Sequence, residues 1–161
     1  MRTVRYSAGA PGSRPDSPLN EYLDQLDRAE PPVPAGRRLL AALGPRKLDI
    51  ARDRSAGAVL LLVTPGYTHA ARDILGGQST LVISQLLALD SDAGRAREAA
   101  RGPLRFLSGV GGYRASWARM GFTGADIDSL SDELVDQLVA WAAPTPSRPG
   151  SASTCGPGPT R

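Results

Sequence analysis

Along this chain, short apolar runs alternate with stripes of helical period, and proline and glycine separate them. From Pro18, the spacing of Leu19, Tyr22, Leu23 and Leu26 predicts a short helix, ended by Pro31-Pro32-Val33-Pro34. Arg38 to Leu43 reads as a strand stopped by Gly44-Pro45. Pro45 then opens a helix through Ala51 and Arg54, with Gly57 as its C-cap. Ala58 to Val63 is uninterrupted in apolarity, as a strand buried on both faces would be. Thr64-Pro65-Gly66 turns the chain, and Thr68 is expected to cap a helix from His69 to Leu75. A third strand is expected over Thr80 to Leu89, and a helix after Asp90-Ser91-Asp92 that runs to Arg101.

Strands about twenty residues apart, each followed by a helix, form the βα repeat of a parallel sheet with right-handed crossovers. The fold class is therefore α/β. The remainder reads as helical. Thr123-Gly-Ala-Asp126 and Ser129-Leu-Ser-Asp132 both have the spacing of a capping box. The second is expected to open a helix with Leu134, Val135, Leu138, Val139 and Trp141 along one stripe.

Composition narrows the folding part of the chain. Of 161 residues, 41% are hydrophobic, enough for one domain and too few for two. Six of the 14 prolines precede Arg37 and five follow Ala143. Residues 1–17 and 144–161 are expected to be unstructured, leaving 18–143 as the domain.

Charge adds little. The balance of 19 Lys+Arg against 16 Asp+Glu gives a net charge of +3, but the arginines are spread from Arg2 to Arg161 and Lys47 is the single lysine. A nucleic-acid footprint would cluster on one face, so no nucleic-acid partner is expected. The longest apolar run, Ala56 to Val63, is too short to span a bilayer, and no membrane partner is expected either. Cys155 has no second cysteine to pair with, and no leader is evident, so a reduced cytoplasmic setting is expected.

Few residues suggest chemistry. Gly44-Pro45-Arg46 follows a strand and opens a helix, so free N–H groups, the helix dipole and a guanidinium could converge on a phosphate; the competing reading is a plain turn with a solvated arginine. Thr64-Pro65 ends the neighbouring strand, and paired loops at the carboxyl ends of parallel strands are where α/β ligands bind. His69 is the only histidine and reads as a surface residue. The acidic stretch Asp126, Asp128, Asp132, Glu133 and Asp136 lacks calcium-loop spacing, and its carboxylates suit helix N-termini. Gly109-Val-Gly-Gly112 follows a helix and reads as a loop, not as a dinucleotide cradle. No catalytic residue and no metal site emerge.

The blocks Tyr22-Leu-Asp-Gln-Leu-Asp27, Leu40-Ala-Ala-Leu-Gly-Pro-Arg46, Leu62-Val-Thr-Pro65, Ala71-Arg-Asp-Ile-Leu-Gly76, Ala96-Arg-Glu-Ala-Ala-Arg101, Gly121-Phe-Thr123 and Leu134-Val-Asp-Gln-Leu-Val-Ala-Trp141 occur in an order and spacing that carry a resemblance. Over residues 18 to 142 the chain resembles the luciferase-like monooxygenase superfamily, in particular its coenzyme F-420-dependent oxidoreductases. The resemblance implies a partial TIM barrel and hydride transfer through a deazaflavin, with FMN as the alternative cofactor and a small-molecule substrate that it does not identify. It also implies that Gly44, Pro45, Arg46, Thr64 and Pro65 lie at the cofactor's phosphate tail. The family's early strands have no counterpart before Pro18, and Gly66-Tyr67 stands where a Glu-His pair is expected. A truncated product, inactive alone, is therefore expected. The other reading is a non-catalytic α/β module or pseudo-enzyme that associates with a partner chain, with a homo-oligomer or a complementing chain as the expected partner.

Overall fold

The computed structural model describes residues 18–142; the expected unstructured ends and Cys155 lie outside the described residues. Helix α1 (Pro18–Arg28) buries Leu23 fully, with Leu19 and Leu26 packed beside it. Tyr22, expected on the same stripe, is exposed. After a short 3-10 turn at Ala35–Arg37 come β1 (Leu39–Ala41), α2 (Pro45–Arg54), β2 (Gly57–Leu61), α3 (Pro65–Leu75), β3 (Thr80–Ser84) and β4 (Leu86–Leu89). The helices α4 (Ala93–Ser108), α5 (Tyr113–Arg119), α6 (Gly124–Ser129) and α7 (Asp132–Leu138) lead to β5 (Val139–Ala142).

All strand pairings are parallel. One sheet has the order β1-β2-β3, and the other pairs β4 with β5. The α/β class and its parallel strands thus hold, and both sheets are open. Leu40, Ala58 and Leu81 stand in register across the first sheet and face its helices. With Leu48, Ala51, Tyr67, Ala71 and Leu75 from α2 and α3 they form one core, and Leu23 closes it from α1. A second core gathers Leu104 from α4, Trp117 from α5, Ile127 from α6, and Leu134, Val135 and Leu138 from α7. Leu62 feeds this second core although Leu60 lies in the first. Its φ of 54° turns the chain at the end of β2, a conformation that leucine rarely adopts.

Several sequence expectations are corrected. The predicted strand Thr80 to Leu89 is broken at Gln85, so that its first part pairs with β2 and its second with β5. Gln85 leaves the ladder and donates its side-chain amide to the carbonyl of Leu138, tying the break to the end of α7. Val139 and Trp141 belong to β5, not to a helical stripe, because backbone pairing with β4 outweighs the local period. Thr64, not Thr68, caps α3, and Pro65 supplies its first residue. Likewise Ser131, not Ser129, caps α7. The box at Thr123 is formed in full, Thr123 and Asp126 each closing the other's backbone N–H. Helix α4 runs past Arg101 and continues through Pro103.

Gly57 is not the cap of α2, a place taken by Ser55. It begins β2 with φ 151°, and a β-carbon there would lie 1.8 Å from the carbonyl oxygen of Thr80. Only glycine lets β2 and β3 approach at this point. Gly57→Ala is therefore expected to destabilise the fold by about 3 kcal/mol through forced strand separation. A urea midpoint unchanged from that of the parent chain would contradict this close contact.

Candidate functional site

The parallel register Leu39↔Gly57 to Ala41↔Val59 brings the carboxyl ends of β1 and β2 side by side. Gly44 follows the first and Thr64 the second, each as the N-cap of the next helix. The sequence reading of two neighbouring strand-end loops is thus matched in placement. The loops nevertheless differ in what they offer.

At Thr64 the helix end is already closed. The Thr64 hydroxyl accepts the N–H of Tyr67 at 3.2 Å, and the Thr68 hydroxyl donates to the Thr64 carbonyl at 3.1 Å. Thr64 is buried at 6% exposure, so its side chain serves α3 rather than an external group. Pro65 has no N–H to give.

At Gly44 the helix end is open. No side chain caps it, and the first turn of α2 holds no acidic residue. Arg46 and Lys47 are exposed there, where the helix dipole disfavours cations and favours an anion. A second element closes over this loop from far along the chain. Arg119, at the end of α5, donates to the Leu43 carbonyl at 2.6 Å, and a β-carbon on Gly44 would lie 3.2 Å from its guanidinium. Gly112, the N-cap of α5 with φ 100°, sits against the Leu43 side chain. Ser116 falls between them on the α5 spacing and buries a hydroxyl that has no hydrogen-bond partner. The group at this loop is therefore Gly44, Arg46, Lys47 and Arg119, with Gly112 against Leu43. Gly112 and Arg119 carry no local signal, because about 70 residues separate them from the loop they meet.

The other candidates have structural roles. His69 is exposed on α3 and lines an open cleft of about 450 Å³ with Thr68, Gln85, Asp136 and Gln137. In the acidic stretch Asp126 completes the capping box of α6, Asp128 pairs with Arg114, Asp132 with Arg97 and Arg101, and Asp136 with Arg97 at 2.7 Å, while Glu133 accepts from Gln137 at 3.4 Å. Among the described residues no three His, Cys, Asp or Glu side chains gather as metal ligands. No helix among them is long and apolar enough to cross a membrane. Comparison with family models, with curated proteins and with solved structures finds no match to this chain.

Behind β1, a buried charge fastens α1 to the sheet. Arg38 is 7% exposed and bonds Asp27 and the Val33 carbonyl, while Arg54 reaches Asp24 at 2.7 Å and Asp27 at 2.8 Å. Hydrogen bonds from Arg38, then Arg54, hold the Asp27 carboxyl below its usual value of 3.8. The Arg97 side chain does the same to Asp136. A carboxylate whose pKa is lower in the folded chain adds stability above its unfolded value, and that stability is lost as pH falls through the folded value. The fold is thus expected to weaken with acid below about pH 4. Asp27→Asn should flatten that dependence, as read from urea midpoints at neutral and acid pH; an unchanged acid slope would count against the clamp.

Proposed function

We propose that this chain is the carboxyl-side portion of a luciferase-like, F-420-dependent oxidoreductase barrel, and that its part in the reaction is to hold the cofactor's phosphate tail. The observation that carries this reading is the open N-terminus of α2, surrounded by Arg46, Lys47 and Arg119 and free of acidic residues in its first turn. Of the five residues the resemblance marks, Gly44 and Arg46 suit an anion, while Pro45, like Pro65, has no N–H to give. Thr64 and Pro65 do not contribute directly, because the Thr64 hydroxyl already caps α3. The open parallel sheets support a partial barrel, with ligand chemistry at the carboxyl ends of the strands.

F-420, or FMN as the alternative, would supply the hydride chemistry; the residues of this chain bind and orient. Gly44 makes room for the Arg119 guanidinium, which fixes the Leu43 carbonyl behind the loop, and Arg46 and Lys47 neutralise phosphate charge. The proposal gives the residues of this chain a binding role and no catalytic one, so the chain is expected not to turn over alone.

Adding F-420 or FMN to the chain should move the backbone amide signals of Arg46 and Lys47, with an affinity of about 1 mM. Arg46→Ala with Lys47→Ala should weaken that by about tenfold, from the loss of two exposed charges at a helix end. Amides that stay in place would overturn the assignment. Micromolar binding by the monomer would overturn the view that the rest of the barrel is needed.

A further inference from the structure

The helix side of the first sheet is not covered along its whole length. Ile83 stands in register with Leu60, which is fully buried, yet Ile83 is 36% exposed. Over it, between the start of α3 and the end of α7, lies the open cleft of about 450 Å³. Its apolar floor is Ile83 with the buried Val63 and Val139. The break in the strand sets a polar side chain beside that floor. Leu81 and Ile83 face the helices, so strict alternation would turn Leu86 and Ala88 to the other face; both instead pack into the second core. Gln85 and Leu86 therefore face the helices in succession, as at a β-bulge, and Gln85 lines the cleft next to Ile83.

The walls of the cleft supply hydrogen-bonding groups from two helices. The Thr68 hydroxyl of α3 donates to the Thr64 carbonyl at 3.1 Å, the Gln85 amide donates to the Leu138 carbonyl, and the Gln137 amide of α7 donates to Glu133 at 3.4 Å. Each of these three side chains thus keeps an oxygen that can accept. His69 adds an imidazole from α3, a group that can donate. Asp136, at the edge, accepts from Arg97 at 2.9 and 2.7 Å and from the Trp141 indole at 3.3 Å, so its charge is already paired. A ligand suited to this space is neutral, rests an apolar body on the floor and offers donors to both walls. A carboxamide meets these demands, because its two N–H groups can serve oxygens on α3 and α7 while its carbonyl accepts from His69. We infer that the cleft between α3 and α7 binds a small neutral molecule with an apolar body and a carboxamide group. The cleft shares no residue with the Gly44 loop, and its ligand needs no cofactor there.

Benzamide is a probe of this class, and acetophenone has the same shape with a methyl group in place of the amide nitrogen. His69 is the only histidine, so its imidazole gives one set of proton resonances to follow in the full chain. At fixed pH, benzamide should move those resonances along a saturating curve with a Kd of about 1 mM. Acetophenone should bind about tenfold more weakly, for want of donors. Gln137→Leu, with an unchanged far-ultraviolet circular dichroism spectrum, should weaken benzamide by about fivefold and leave acetophenone as it was. Resonances that shift only in proportion to concentration, equal affinity for the two probes, or a Gln137→Leu chain that keeps the parent affinity for benzamide overturns the proposal. Benzamide shifts at the Arg46 and Lys47 amides in place of His69 do so as well.

Discussion

The placement of β2 between β1 and β3 is the constraint on which the rest of the structure depends. Its backbone must be paired on both sides, because Ala58 and Leu60 are fully buried and no water can satisfy the strand. Two parallel partners in turn require crossovers on the helix side, which α2 and α3 supply. The close contact of Gly57 with Thr80 sets the start of the ladder, and the turned Leu62 ends it. By ending there, the strand sends Leu62 into the second core and leaves Thr64 to start α3. The candidate loop exists because β1, held beside β2, ends opposite Val59, two residues before the end of β2.

Arginine does most of the work of joining elements. Arg38 and Arg54 hold α1 against the β1 and α2 region, and Arg72 bonds the carbonyls of Gly76 and Ser79 ahead of β3. Arg97 and Arg101 tie α4 to α7. A scattered distribution of charge along the sequence thus becomes a set of clamps between neighbouring helices and strands. The planar guanidinium suits this role, since one side chain can satisfy a carboxylate and a carbonyl together. Arg46 and Lys47 stand apart from this pattern, exposed at a helix end that favours the opposite charge.

Much of the architecture was legible in the apolar pattern. The helix from Pro45, the strand at Ala58 and the box at Thr123 each rest on local chemistry that tertiary contacts reinforce. Expectation and structure differ where local signals compete. Thr64 and Thr68 are both capping residues, and Pro65 at the first helical position favours the earlier one. The run from Thr80 to Leu89 has no breaker in its composition; it divides because its halves meet different partners. Gly44, Arg46 and Thr64 were found as strand-end residues, but nothing local distinguishes an open helix end from one closed by its own threonine hydroxyl.

The sequence by itself determined the α/β class, the parallel βα repeat, the two strand-end loops and the capping box at Thr123, because these follow from periodicity and from interactions within a few residues. Only the tertiary structure decided that β5 pairs with β4, that Arg119 and Gly112 stand over the Gly44 loop, and that Thr64 is occupied by its own helix. It alone decided that, among the described residues, the faces of Leu39, Val82, Leu87 and Leu89 are uncovered. The physical reason is range. Periodicity shows that a strand is apolar, but whether a side chain is covered depends on elements many residues away and on edges that no local pattern reveals.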